Sequence, residues 1–313
     1  MSQTAEAGLI SAAPPRASES ESASQMLWKR FHRHPGARVG MVVFFLLALA
    51  VVFAPLSPYD PETSAVQQRF QAPSWQHPMG TDPLGRDLLT RILFGGRISL
   101  TVGLLVVVTA LAIGVTVGAL AGYAGGIVDN LLMRITDAAL TLPSLLVLIL
   151  LGAILRDVEL PLFKRSSVIT IAIVIGILSW MTFARLVRAA FLTLRELDFV
   201  TASRALGASP FRIVVRHILP NTIGPIIVEA TLELGYAIIE ESGLSFLGFG
   251  IQPPTPSWGN LLSNAQENFL RYPWLAIFPG VMIFLAIISV NYIGDGLRDA
   301  FDPYKVLVKA GEV

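Results

Sequence analysis

Long apolar runs alternate with short polar segments along almost the whole chain. The runs are Val39–Leu56, Ile98–Tyr123, Leu131–Leu155, Val168–Ala190, Thr222–Glu240 and Trp274–Ile293. Each is close to the roughly 20 residues that an α-helix needs to cross a bilayer, so the pattern predicts an all-α membrane protein with six spans. Lys29, Arg30, Arg33 and Arg38 precede the first run. A basic flank before an apolar stretch also describes a secretion signal, but this run starts late. Pro55, Pro58 and Pro61 follow it instead of a small-residue cleavage site, and it reads as an uncleaved first span. Residues 1–25 are rich in Ser, Ala, Glu and Pro without apolar periodicity and read as a disordered tail. The expected organisation is then a first helix and external segment over 26–96, a transmembrane core over 97–296 and a polar C-terminal tail over 297–313.

Composition sharpens this. Of 313 residues 53% are hydrophobic and only 14% charged, with a mean hydropathy of +0.64. A soluble domain carries nearer a quarter charged residues. The net charge of +1 leaves no basic excess for a nucleic-acid partner. Without cysteine there is no disulfide, thiolate metal site or thiol nucleophile. The histidines, His32, His34, His77 and His217, all lie outside the predicted spans, which leaves a buried Ser–His pair or zinc hydrolase without its base. A G-x-x-x-x-G-K-[ST] phosphate loop is missing too, so ATP and Mg would have to be bound by a partner. No cofactor is expected on this chain.

The basic residues orient the spans. With the N-terminus inside, fifteen of the 23 Lys and Arg residues fall in the inner segments or at inner helix ends, and eight fall outside. The excess predicts both termini in the cytoplasm. It also puts the polar stretch between the fourth and fifth runs inside.

That stretch, Arg195 to Pro220, reads RELDFVTASRALGASPFRIVVRHILP. Small residues cluster at Ala202, Ser203, Ala205, Gly207 and Ala208, among apolar Phe199, Leu206, Phe211, Ile213 and Val214. Ser209 before Pro210 is a helix start, because the hydroxyl can cap and proline at the first helical position loses no needed N–H. Pro220 is expected to end that helix. Two short amphipathic helices broken at Gly207 follow, suited either to docking in another protein's groove or to packing on the chain's own helix ends.

Two further patterns lie within the spans. Gly114, Gly118 and Gly122 form a small-residue stripe, expected to pack within the chain. In the fifth run Glu229, Glu233 and Glu240 share one helix face with Thr222 and Tyr236. A carboxylate facing lipid at mid-membrane costs roughly 2.5–3.5 kcal/mol. That face should therefore look onto water, a cavity or a basic partner. It could line a path favouring cationic groups, pair with an arginine, or carry a protonated carboxyl. Outside the membrane, Gly80, Gly85, Gly95 and Gly96 with Pro78 and Pro83 predict tight turns before the second span. Trp75, Trp258 and Trp274 read as an interfacial belt, and Pro253, Pro254 and Pro256 as a stiff external loop on which a partner could land.

The 195–220 stretch resembles the EAA loop of binding-protein-dependent ABC permeases. In that loop E-A-A, three residues, Gly, nine residues and I-x-L-P follow one another. Thr201, Ala202, Ser203, Gly207, His217, Leu219 and Pro220 stand at the pattern's positions, with Thr201, Ser203 and His217 departing from its Glu, Ala and Ile. The blocks His77–Leu100, Gly243–Asn260 and Gly294–Tyr304 narrow the resemblance to the C-type permease subunit of dipeptide, oligopeptide and nickel importers, over roughly residues 27 to 304. The resemblance implies a type I importer fold in a bacterial or archaeal inner membrane. It implies a second homologous permease, ABC ATPase subunits below and an extracytoplasmic solute-binding protein above. The 201–220 loop would couple to the ATPases, and the solute would be a peptide, nickel or a related small molecule. The rival class is an ion-coupled secondary transporter or channel that uses Glu229, Glu233, Tyr236 and Glu240.

Overall fold

A computed structural model of the chain describes residues 23–156 and 168–302; most of the N-terminal tail and residues 303–313 of the C-terminal tail lie outside them. The helices are α1 (Ala23–Arg33), α2 (Pro35–Val52), α3 (Leu88–Ala124), α4 (Gly126–Leu140), α5 (Ser144–Arg156), α6 (Val168–Leu194), α7 (Asp198–Ala205), α8 (Pro210–Ile213), α9 (Leu219–Phe246), α10 (Trp258–Ala265) and α11 (Trp274–Phe301). No strand occurs among the described residues.

Five helical segments are long and apolar enough to cross a bilayer, and the bent pair α4–α5 meets the same test together. That bend corrects the straight third span expected over Leu131–Leu155. The chain turns by 83° between α4 and α5, where Pro143 lacks the N–H that would continue the helix and pushes Leu142 out of the helical region. The first span starts earlier than expected, at Pro35, with His34 Nδ1 accepting the Ala37 N–H at 3.0 Å. The fifth is longer than Thr222–Glu240, and Pro220 does not end a helix. A π turn over Val214–Ile218 joins α8 to α9. There the Leu219 N–H reaches back to the Val214 carbonyl. This wider turn takes up the strain of a proline just inside α9. One rod therefore runs from Pro210 to Phe246.

The core is built on α3 and α6, which run parallel. The glycine stripe makes this possible: a Cβ at Gly114 would sit 2.5 Å from the Trp180 carbonyl oxygen, and one at Gly118 2.5 Å from that of Ala184. Gly122 abuts Phe191 and Arg188 in the same way, so the stripe packs within the chain, as expected. Backbones this close give dispersion contact where lipid offers no hydrophobic drive. The α9 rod lies antiparallel to α3, with Gly103 against Leu234 and Ile238. The α11 helix lies antiparallel to both α2 and α9, through Gly40 against Ser289 and Gly294 against Thr231. These directions define two ends. One gathers α1, α7, α8 and the C-terminal ends of α3, α6 and α11. The other gathers residues 57–87, α10 and the start of α11.

Candidate functional site

Leu206 and Phe211 dominate the first end. They are 89% and 76% exposed, on a segment whose opposite side is buried. Val200, Ile213 and Ile218 pack against Val187 and Phe191 at the end of α6. The stretch therefore packs on the chain's own helix ends through one face and leaves the other uncovered. Gly207, at φ +79°, ends α7 as expected, and its N–H bonds to the Arg204 carbonyl at 3.0 Å. Ser209 caps α8 by accepting from the Arg212 N–H. Of the expected loop residues, Thr201, Ala202, Gly207 and Pro220 are exposed, while Ser203, His217 and Leu219 are half-buried. Ser203 turns its hydroxyl back onto the Phe199 carbonyl, 2.8 Å away.

The mounting beneath this segment is polar and firm. Arg195 Nη1 donates to the Gly122 carbonyl at 2.9 Å, and Arg188 Nη2 to Asp129 Oδ2 at 2.7 Å. Those two bonds tie together the C-terminal ends of α3 and α6 and the start of α4.

The acidic face of α9 is not uniform. Glu233 is buried beside Ser179, and Glu240 is half-buried beside Ser144. Tyr236 is 62% exposed. Glu229 is half-buried and lines a cavity with Arg298.

A stronger polar centre lies one residue past the stripe, at Glu241, which sequence reasoning missed. Its carboxylate is wholly buried and accepts from the hydroxyls of Ser99 at 2.8 Å and Ser245 at 2.7 Å. Those hydroxyls in turn accept the Trp258 N–H at 3.2 Å and the Ile251 N–H at 2.9 Å. One carboxylate thus organises the loop from α9 to α10 and fastens it to α3. The spacing Glu241-x-x-x-Ser245 was visible, but nothing in the sequence brings Ser99 to it.

At this second end the expected belt is corrected for Trp258. Trp258 is fully buried, with Nε1 donating to the Ile92 carbonyl at 3.0 Å. Gly95 and Gly96 do not form turns: both lie in α3, and Gly96 leaves room for the Trp258 ring. Gly80 and Gly85 do turn the chain, at φ +78° and +77°. Trp75 stands fully exposed. Asp82 braces residues 57–87 by accepting from the Leu84 N–H, the Arg86 N–H and Arg86 Nε, the last at 2.7 Å. Asp87 caps α3 and takes His77 Nδ1 at 2.9 Å.

The described residues form a bundle of five continuous apolar spans and one bent helix pair, with an exposed amphipathic step at one end. In fold, a methionine ABC transporter captured facing inward matches with a TM-score of 0.52 at 20% identity, over 66% of this chain and 95% of that one. Residues 114–305 match the family described as binding-protein-dependent transport system inner membrane component, and residues 22–73 the N-terminal transmembrane domain of oligopeptide transport permease C. A dipeptide transport system permease protein of Alkalihalophilus pseudofirmus is 43% identical over 88% of each chain. A glutathione transport system permease protein of Pectobacterium atrosepticum is 40% identical over 88% of this chain and 89% of its own. The chain belongs to the binding-protein-dependent transport system inner membrane components.

Proposed function

We propose that this chain is one permease half of an ATP-driven importer of di- and oligopeptides in a bacterial or archaeal cytoplasmic membrane. A second, homologous permease completes the path. ABC ATPases, which bind the ATP and Mg, engage α7 and α8; a solute-binding protein delivers at the other end. The observation that carries this reading is the pairing of Leu206 and Phe211, anchors with no cover, with a single rod. A tilt of α8 caused by ATPase closure travels along the 37 residues from Pro210 to Phe246. It arrives where Glu241 holds α9 to α3 and the loop to α10. Thr201, Ala202, Ser203, Gly207, His217, Leu219 and Pro220 shape the docking step, and Glu229, Glu233, Tyr236 and Glu240 bias the path towards cationic groups. At the delivery end the landing surface includes exposed Trp75 and Leu270.

The test is uptake by proteoliposomes containing both permeases, the ATPases and the binding protein. Peptide accumulation should require ATP and persist when ionophores collapse ion gradients. Accumulation driven by an ion gradient without the ATPases would establish the secondary-transporter class instead.

Topology gives a separate expectation. In this cysteine-free chain, cysteines replacing exposed Arg33 and Trp75 should react with an impermeant thiol reagent from opposite sides, Arg33→Cys from the cytoplasm. Reaction of both from one side would be incompatible with the proposed orientation.

A further inference from the structure

A cavity of about 370 Å³ opens at the first end between α6, α9 and α11. Leu186, Val228, Leu232 and Phe301 supply apolar wall, Glu229 and Asp302 supply acid, and Arg298 supplies the base. Such a lining, apolar with a few convergent polar groups, and a volume of a few hundred Å³ are what small-molecule sites have in common. Glu229 and Arg298 act on each other, but no described hydrogen bond or ion pair joins these two. An acid and a base that share a cavity without closing on each other leave room for a molecule bearing both complementary charges.

Local sequence keeps the space open. Pro225 lies inside α9 and lines the cavity, and it offers no N–H to the preceding turn. Gly224 lets the Phe301 ring approach; a Cβ there would sit 2.8 Å from it. The cavity floor is therefore set by backbone and ring. Glu229 is half-buried and Arg298 exposed, so the base stands at the mouth and the acid inside.

We propose that this cavity binds the zwitterion of a short peptide or amino acid, its ammonium on Glu229 and its carboxylate on Arg298. Arginine suits the role because its planar fork meets a carboxylate with two parallel hydrogen bonds. The site rests on the peptide-importer reading and refines it, because it names free ends as the recognised feature at the inner end of the permease.

The experiment uses the assembled permease–ATPase complex in nanodiscs, without its binding protein. Binding of Ala-Ala is compared with N-acetyl-Ala-Ala, Ala-Ala-amide and the doubly blocked form. Blocking either end should weaken binding at least about tenfold, as loss of one charge-assisted hydrogen-bonded contact predicts. Glu229→Gln should abolish the penalty for N-acetylation alone, and Arg298→Gln the penalty for amidation alone. Equal binding of free and doubly blocked peptide would overturn the site, as would no binding, or variants that keep both penalties. The end-blocking series on the wild-type complex decides the matter even if a variant fails to assemble. Uptake by the same complex is measured in parallel. Import of peptides without end-dependent binding would remove the site and leave the importer standing. End-dependent binding without peptide import would do the reverse.

Discussion

Changing Leu206 and Phe211 together to glutamate should leave the permease inserted and folded but separate it from its ATPases. Both side chains are largely exposed, so the unpartnered chain loses little packing by the change. In an interface, central anchors of this kind carry about 2 kcal/mol or more each, equivalent to roughly 30-fold in affinity apiece. Two buried glutamates without partners add a desolvation penalty. Co-purification of the ATPases and ATP-driven uptake should both fall to background, while yield and oligomeric profile of the permease pair stay near wild type. Val200→Glu is the contrasting control. That side chain is fully buried against Val187 and Phe191, so its replacement should reduce folded protein itself. Unchanged ATPase association in the double variant would show that the step between α7 and α8 is not where the two meet.

Replacing Glu241 by leucine should be the most destabilising single change at the delivery end. Leucine leaves the Ser99 and Ser245 hydroxyls without the acceptor they now share, in a site with no exposure to solvent. Stranding two buried donors costs about 3 kcal/mol or more together. Because the same hydroxyls accept the N–H groups of Trp258 and Ile251, the loss should reach the loop between α9 and α10. Glu241→Gln keeps an acceptor oxygen and should sit between wild type and leucine. Survival of the monodisperse complex on heating in detergent measures the order, and limited proteolysis near residues 247–258 reports whether the loop has come loose. A leucine variant as heat-resistant as wild type would mean that the serine cage is incidental.

Much of this protein was legible residue by residue because lipid allows few solutions. A backbone in hydrocarbon must satisfy its own hydrogen bonds, so each long apolar run had to become a helix. Five of the six expected spans appear as straight helices for that reason. The sixth shows where the reading stops: a window average cannot feel one proline, and Pro143 turned an apolar run into two helices at 83°. Pro220 erred in the opposite direction. A proline signals a helix end only if the preceding turn is regular, and the π turn over Val214–Ile218 made it compatible with a continuous rod.

Local chemistry by itself determined what depends on neighbours in sequence. The break at Gly207, the Ser209 cap, the turns at Gly80 and Gly85 and the span positions all follow from backbone preferences within a few residues. The tertiary structure alone decided which side chains are covered and by what. Trp258 has the composition of an interfacial anchor yet fills the core, because α3 offers Gly95 and Gly96 as a seat. Glu229, Glu233 and Glu240 share a helix face, yet one looks across a cavity to Arg298 and the other two meet serines from α6 and α5. Glu241 became the buried hub only when Ser99, far away in sequence, arrived beside it. Helicity in a membrane is a local requirement of the backbone, whereas burial and polar partnership are settled between elements and appear only once the helices have packed.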